Sequence, residues 1–98
     1  MNYEQVIAED ARREVLTELA RQTDGTLNDA SMTRVLDTVG IRRSREWVQT
    51  QLQKLKELGA VNLRTVAGYT VATITRTGRD HVERRSVIVG VSAMADED

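Results

Sequence analysis

The 98-residue sequence contains no cysteine and no proline, and aromatic residues make up only 3% of it. Without cysteine there is no disulfide framework and no thiolate metal site, so the chain can fold in a reducing compartment, and we expect it in the cytoplasm. No apolar run approaches the roughly 18 residues that span a bilayer, and the start of the chain lacks the profile of a signal peptide. We therefore expect neither a secreted nor a membrane protein. This length has room for one domain with one core.

The net charge of -1 conceals a segregation of charge along the sequence. Residues 1–41 carry eight acidic and four basic side chains, residues 42–85 carry ten basic and four acidic ones, and the last three residues are acidic. Phosphate neutralisation needs local rather than global positive charge, so the basic middle of the chain is compatible with nucleic-acid binding. The alternative is that these lysines and arginines only solvate a helix face.

Three segments with apolar residues at helical spacing precede residue 59, and they cover residues 3–22, 28–39 and 44–58. Asn28 and Ser44 are suitable N-caps, and Gly40 and Gly59 are suited to the left-handed position that ends a helix. Because only a short connection separates the second and third helices, the pair is predicted to form a helix-turn-helix.

After Gly59 the pattern changes to β-branched runs on either side of Ala67-Gly68, which predicts a β-hairpin. A short final helix is predicted within residues 75–85, capped near Thr75 or Thr77. This order of elements is that of a winged helix-turn-helix, a mainly α fold (α+β) with three helices, a two-strand wing and a C-terminal helix. We expect this domain to span residues 1–85 and residues 86–98 to form an arm or tail that is acidic at its end.

The apolar stripes of these elements predict one core. Its expected members are Ile7, Leu16, Leu19, Leu36, Val39, Val48, Leu52, Leu55, Leu58, Val61 and Val71. The apolar run Val87-Ile88-Val89 lies outside this set, and exposed apolar surface of this kind predicts self-association, with a homodimer as the expected product.

The sequence offers little to support an enzyme. His81 is the single histidine, and the acidic residues are scattered over predicted exposed helix faces. Neither a phosphate-binding loop, a dinucleotide fingerprint nor a nucleophile elbow occurs. We therefore expect no catalysis, no metal and no cofactor, and we expect His81 to be an ordinary surface or half-buried residue.

The helix-turn-helix supplies the candidates for DNA binding, because its second helix enters the major groove. On the third helix and just before it these are Arg43, Ser44, Arg45, Glu46, Gln49, Thr50 and Gln53. Arginine can bind guanine and glutamine can bind adenine, so we expect Arg45 and Gln49 to read bases. Arg64 beside the hairpin turn, with Arg76 and Arg79 at the start of the last helix, is expected to hold phosphates. Glu46 and Glu57 oppose DNA binding, unless Glu46 reads cytosine.

Three stretches of the sequence resemble a family of short winged-helix proteins from Mu-like phages and prophages. They are YEQVIAEDARREVLTEL at residues 3–19, SREWVQTQLQKLKELGAV at 44–61 and VATITRTG at 71–78. The resemblance extends to about Gly90 and implies a phage origin, with a gene among the late functions near those for packaging and the head. The family's motifs are structural, and none of them is catalytic.

The leading hypothesis is a phage protein that binds double-stranded DNA through its third helix and wing, in phage gene control or DNA handling in the host cytoplasm. The alternative is a protein-interaction adaptor of phage late functions that uses the wing or residues 87–91 and does not bind DNA. The mixed charge on the third helix leaves both hypotheses open.

Overall fold

The computed structural model describes residues 2–95, and within that range the chain forms four helices and a three-stranded antiparallel sheet. In chain order the elements are α1 (Tyr3–Arg21), β1 (Thr26–Asn28), α2 (Asp29–Thr38), α3 (Arg45–Glu57), β2 (Val61–Val66), β3 (Tyr69–Ile74) and α4 (Arg76–Val82). The fold is therefore mixed α+β, and the predicted order of helices and hairpin is confirmed.

Each helix begins at a polar side chain that satisfies a free backbone N–H of the first turn. Asn28, Ser44 and Thr75 accept from the N–H three residues further along, which confirms the caps expected for α2 and α3 and selects Thr75 for α4. Asn2 and Gln5 form a reciprocal capping box at the start of α1, in which each side chain accepts from the backbone N–H of the other.

Strand β1 is absent from the sequence-based prediction. It pairs with β3 in antiparallel register, with Leu27 opposite Ala72, and gives the sheet the order β1-β3-β2. The strand ends at Asn28, which caps α2, so the predicted start of the second helix at Asn28 is kept and only the strand before it is new. A strand of three residues is too short to show an alternating pattern, and its pairing partner lies more than forty residues away in sequence.

The end of α2 determines which residues after it are buried. Gly40 has a positive φ of 86°, and the Ile41 N–H donates to the Leu36 carbonyl, which is the hydrogen bond of a Schellman motif. This turn buries Ile41 against the core and leaves Val39 with 49% of its surface exposed. Val39 was predicted to be buried, and that prediction is wrong because the helix has already ended at Thr38.

The core lies between α1, α2, α3 and the sheet. Among its fully or nearly fully buried members are the expected residues Leu16, Leu19, Leu36, Val48, Leu52, Leu55 and Val61. Ile7, Leu58 and Val71 were also expected there and are only partly buried. Val71 is partly buried because it alternates with Ala72 on β3, and Ala72 is the one that faces the core.

Part of the expected C-terminal arm packs against the domain. Ile88 and Val91 are buried in the core, whereas Val87 and Val89 on either side of Ile88 are exposed. His81 holds this segment, because its Nδ1 accepts from the Ile88 N–H at 3.1 Å and its Nε2 lies 2.9 Å from the Ser92 carbonyl. His81 is only 2% exposed, so the expectation of a surface or half-buried histidine is wrong. The acidic end expected at residues 96–98 lies outside the described residues.

Candidate nucleic-acid interface

The first turn of α3 carries several of the residues that were expected to contact DNA. Residues 39–44 connect α2 to α3, and the Schellman turn at Gly40 fixes the direction of this connection. The Ser44 hydroxyl accepts from the Trp47 N–H at 3.0 Å, so the side chain expected to help hold a phosphate already caps the helix. Ser44 and Glu46 are exposed at this end of α3.

A buried carboxylate joins α2, α3 and the hairpin. Asp29, the first residue of α2, is completely buried and accepts hydrogen bonds from two side chains of α3. Arg45 Nε lies 2.9 Å from Oδ2 and Arg45 Nη2 lies 3.2 Å from Oδ1, and Gln49 Nε2 lies 2.6 Å from Oδ2. The Thr70 N–H of β3 donates to Oδ1 at 3.3 Å, so three elements meet at one charged group. We call this group the Asp29 clamp and define it as Asp29, Arg45, Gln49 and Thr70.

The electrostatics of the clamp favour the ionised carboxylate. Burial by itself raises the pKa of Asp29, but the hydrogen bonds from Arg45, Gln49 and the Thr70 N–H outweigh it and hold this pKa below its ordinary value. A buried charge of this kind is tolerated only where it is paired and hydrogen-bonded, and Asp29 meets both conditions.

Arg45 extends the clamp to the hairpin tip. Its Nη2 also donates to the Gly68 carbonyl at 2.9 Å, and its guanidinium lies over the ring of Tyr69, 5.2 Å from the centroid. The turn Ala67-Gly68 has positive φ at both residues, as expected for a tight two-residue hairpin loop. One arginine therefore connects the first turn of α3 to the tip of the β2–β3 hairpin.

A second ion pair holds the residue just before the α3 cap. Arg43 makes a bidentate contact with Glu4 of α1, at 2.8 and 3.0 Å, and lies over the Trp47 ring at 5.2 Å. The hydrogen bonds from Arg43 lower the pKa of Glu4. The charge of Arg43 is therefore already balanced by a carboxylate of the same chain.

These contacts correct the sequence-based view of the polar face of α3. Arg45 and Gln49 were expected to project freely as base-reading residues, and instead both are turned towards Asp29. Glu46, Thr50 and Gln53 remain exposed, as does Arg64 on β2. Arg64 pairs with Val71 on the face of the sheet opposite to the one that carries Leu63 and Ala72.

The structure does not bring all ten predicted residues together. Arg76 and Arg79 begin α4 at the base of the hairpin, where the Thr75 hydroxyl donates to the Gly59 carbonyl at the C-terminal end of α3. Arg45 reaches the hairpin tip from the other end of α3. Since the 13 residues of α3 rise 1.5 Å each, these two groups lie about 20 Å apart. The expected interface is thus two separate basic regions.

Sequence reasoning missed two relevant residues. Asp29 was recognised only as a favourable acidic residue in a first helical turn, although the i,i+4 spacing of Arg45 and Gln49 places both donors on one helix face, where a single carboxylate can bind them. Arg42 is exposed and makes no hydrogen bond or ion pair within residues 2–95, which makes it a better phosphate donor than its neighbour Arg43. Nothing in the sequence distinguishes these two adjacent arginines.

The described residues contain neither a metal-binding cluster nor a membrane-spanning helix. In residues 2–95 no three His, Asp or Glu side chains cluster so that they could hold a metal ion. The helices of the same range include none that is long and apolar enough to cross a membrane.

Comparison with known proteins supports a phage origin. No protein-family profile matches the chain. The sequence is 30% identical over 86 residues to a protein of Escherichia phage Mu named "Uncharacterized protein gp26", and the match covers 88% of each of the two chains. The chain therefore belongs to the family of this phage protein, and the expectation of a Mu-like phage family is confirmed.

Proposed function

We propose that this member of the gp26 family is a winged-helix protein that binds double-stranded DNA inside the host cell, in phage gene control or DNA handling. In this proposal α3 enters the major groove and the β2–β3 hairpin is the wing. The observation that carries the proposal is the Asp29 clamp, because it fixes the N-terminal end of α3 to α2 and to the hairpin tip.

A rigid relation between these elements is what a helix-turn-helix surface needs. The helix that reads the groove and the hairpin that follows the backbone must keep one geometry, since positioning contacts fix the register in which bases are read. The Arg45 side chain donates hydrogen bonds to Asp29 and to the Gly68 carbonyl, and the Gln49 side chain donates to Asp29. Both residues therefore position the surface in this proposal and do not read bases.

The DNA contacts are then assigned to the exposed residues on and around α3. Thr50 and Gln53 are exposed along α3 and have side chains suited to base edges, and Glu46 can accept from cytosine. Arg42 before α3 and Arg64 on the wing are exposed cations without a carboxylate partner among residues 2–95, so we assign them to backbone phosphates.

The test is a titration of random-sequence duplex DNA at about 50 and about 200 mM salt. Affinity should fall as salt rises, and Arg42→Ala or Arg64→Ala should each lower the salt slope by about one unit. Arg21→Ala is the matched control, because Arg21 is an exposed arginine at the far end of α1 and should leave both affinity and slope unchanged. Absence of duplex binding at the lower salt concentration would refute the proposal.

The adaptor function remains the second candidate because of two observations. Val66 and Tyr69, at the hairpin tip, are each 43% exposed, and an apolar tip suits a protein partner better than phosphate. Glu46 and Glu57 keep the exposed face of α3 from being purely basic. A photo-crosslinking residue at position 66, used in infected cells, separates the two. Adducts to DNA support the first proposal, and adducts to a phage late protein without DNA support the second.

A further inference from the structure

A cavity lies at the base of the hairpin, on the side of the molecule where α4 begins. It has a volume of about 450 Å³ and is lined by three arginines and two carboxylates, which are Arg76, Arg79, Arg85, Asp80 and Glu83. It also contacts Ile74 and Thr75, where β3 meets α4. The cavity is about 20 Å from the first turn of α3, the length of that helix, so it is separate from the proposed DNA surface.

Within the described part of the chain, two of the three guanidinium groups have no hydrogen-bond or ion-pair partner. Arg76 and Arg79 stand three residues apart on α4, and neither side chain makes a hydrogen bond or ion pair within residues 2–95. Arg85 contacts Glu83 through Nε at 3.0 Å, which leaves its terminal nitrogens unused by that contact. Arginine carries five N–H donors in a rigid fork, so the cavity presents many unused donors to one space.

The backbone at Gly25 makes room for one of these groups. A Cβ atom at Gly25 would lie 2.8 Å from Arg79 Nη2, so the lack of a side chain there leaves room for the guanidinium in its present position. Gly25 is itself fixed, because its carbonyl accepts from the Ile74 N–H at 2.9 Å. The Arg79 guanidinium therefore lies beside this fixed stretch of backbone, and Arg79 is only partly exposed.

We propose that this cavity binds a phosphoryl group through Arg76, Arg79 and Arg85. Paired N–H donors of a guanidinium match the oxygens of a phosphoryl group in a bidentate contact. Asp80 and Glu83 reduce the net charge of the lining to about +1, so recognition of a phosphoryl group rests on the bidentate arginine forks and not on net charge. The proposal does not depend on DNA binding by α3.

The phosphoryl group can come from free phosphate or from a DNA backbone, and both present the same oxygens to the cavity. The probe for the first source is inorganic phosphate, titrated at constant ionic strength against chloride and followed by the NMR signals of the arginine Nε–H groups. The signals of Arg76 and Arg79 should shift saturably. Arg79→Ala and Arg76→Ala should each weaken phosphate binding about tenfold or more, the loss expected for a charge-assisted hydrogen bond.

Three further variants make the test specific. Arg79→Lys keeps the charge without the fork and should recover only part of the affinity. Asp80→Asn removes a carboxylate from the lining and should strengthen phosphate binding, which is an effect of opposite sign. Arg34→Ala is the matched control, because Arg34 is an exposed arginine of α2 that does not line the cavity and should leave phosphate binding unchanged.

A titration with a short DNA duplex identifies which source supplies the phosphoryl group. Competition between duplex and phosphate for the Arg79 signal assigns the cavity to the DNA backbone, and a duplex that leaves this signal unmoved assigns it to free or terminal phosphate. Phosphate shifts that equal those of chloride, or that survive unchanged in Arg76→Ala and Arg79→Ala, would overturn the proposal. A failure of duplex binding alone would refute only the function proposed for α3.

Discussion

The Asp29 clamp can be broken with little change of shape by Asp29→Asn. The substitution removes the negative charge of a fully buried side chain that holds Arg45, Gln49 and the Thr70 N–H. An amide keeps one acceptor oxygen, but it turns an NH₂ group towards donors that previously met a carboxylate oxygen. We therefore expect the hairpin tip and the first turn of α3 to lose their common anchor.

The loss of unfolding free energy caused by Asp29→Asn follows from the burial of Asp29 and from the charge of its partner Arg45. Removing one partner of a buried ion pair costs about 3–5 kcal/mol, and hydrogen bonds to a charged group contribute about 1.5–3 kcal/mol. The Arg45 side chain is 39% exposed, so water can solvate part of its charge once the carboxylate is gone. We therefore place the loss in unfolding free energy at about 3 kcal/mol, the low end of the range for a buried pair.

Urea denaturation across a pH series measures both the loss and its origin. Because the folded pKa of Asp29 lies below the unfolded value of 3.8, the folded carboxylate binds a proton more weakly than the unfolded one. The stabilisation is therefore fully present above pH 3.8 and is lost as the pH falls through the folded pKa. The difference between the native chain and Asp29→Asn should be largest near neutral pH and should shrink in acid.

The matched control is Asp37→Asn, which neutralises an exposed aspartate on the same helix and should change stability by no more than about 0.5 kcal/mol. If Asp29→Asn were as mild as this control, or if its cost were independent of pH, the carboxylate would not hold the three elements together.

Three other predictions test the core and the C-terminal segment. Leu52→Ala should cost about 2–5 kcal/mol in unfolding free energy, and a loss under about 0.5 kcal/mol in urea denaturation would show that the packing of α3 is misplaced. Gly78→Ala should cost about 1–3 kcal/mol, because a Cβ there would meet the Ala60 carbonyl and come within 2.8 Å of Ile74; an unchanged thermal midpoint would contradict this. His81→Ala should leave DNA affinity unchanged but speed amide exchange at Ile88, and equal exchange rates would show that the histidine does not hold the segment.

Helices α1, α2 and α3 could be predicted because each repeats apolar residues over several turns, and α2 and α3 are also bounded by a cap and a glycine. The hairpin was also predictable from local sequence, because two β-branched runs flank a glycine turn. Residues whose burial depends on distant partners were not predictable. Ile88 becomes a core residue because His81 and α1 hold the segment that carries it, and Leu27 becomes part of a strand because β3 lies beside it.

The candidate site was predictable as a surface but not as a set of contacts. Polarity and helical spacing placed Arg45 and Gln49 on the side of α3 away from the core. Spacing within one helix cannot show that a carboxylate from another helix occupies that side, and so it cannot separate a solvated arginine from a clamped one. The same applies to Arg43, whose partner Glu4 is 39 residues away in sequence.

Whether an arginine is solvated or already paired with a carboxylate changes the salt dependence that DNA binding should show. Arg43 and Arg45 belong to the basic block of residues 42–85, yet each is already paired with a carboxylate of the chain. If only Arg42 and Arg64 neutralise phosphates, the logarithm of the binding constant should fall with the logarithm of salt with a slope of about -2. A measured slope of about -4 that is unchanged in Arg76→Ala and Arg79→Ala would mean that Arg43 and Arg45 leave Glu4 and Asp29 for phosphate in the complex. In that case Asp29→Asn frees Arg45 before DNA binds, so the substitution should strengthen non-specific duplex binding. A slope of about -2 predicts the opposite, because Asp29→Asn would then weaken duplex binding by loosening α3 from the wing.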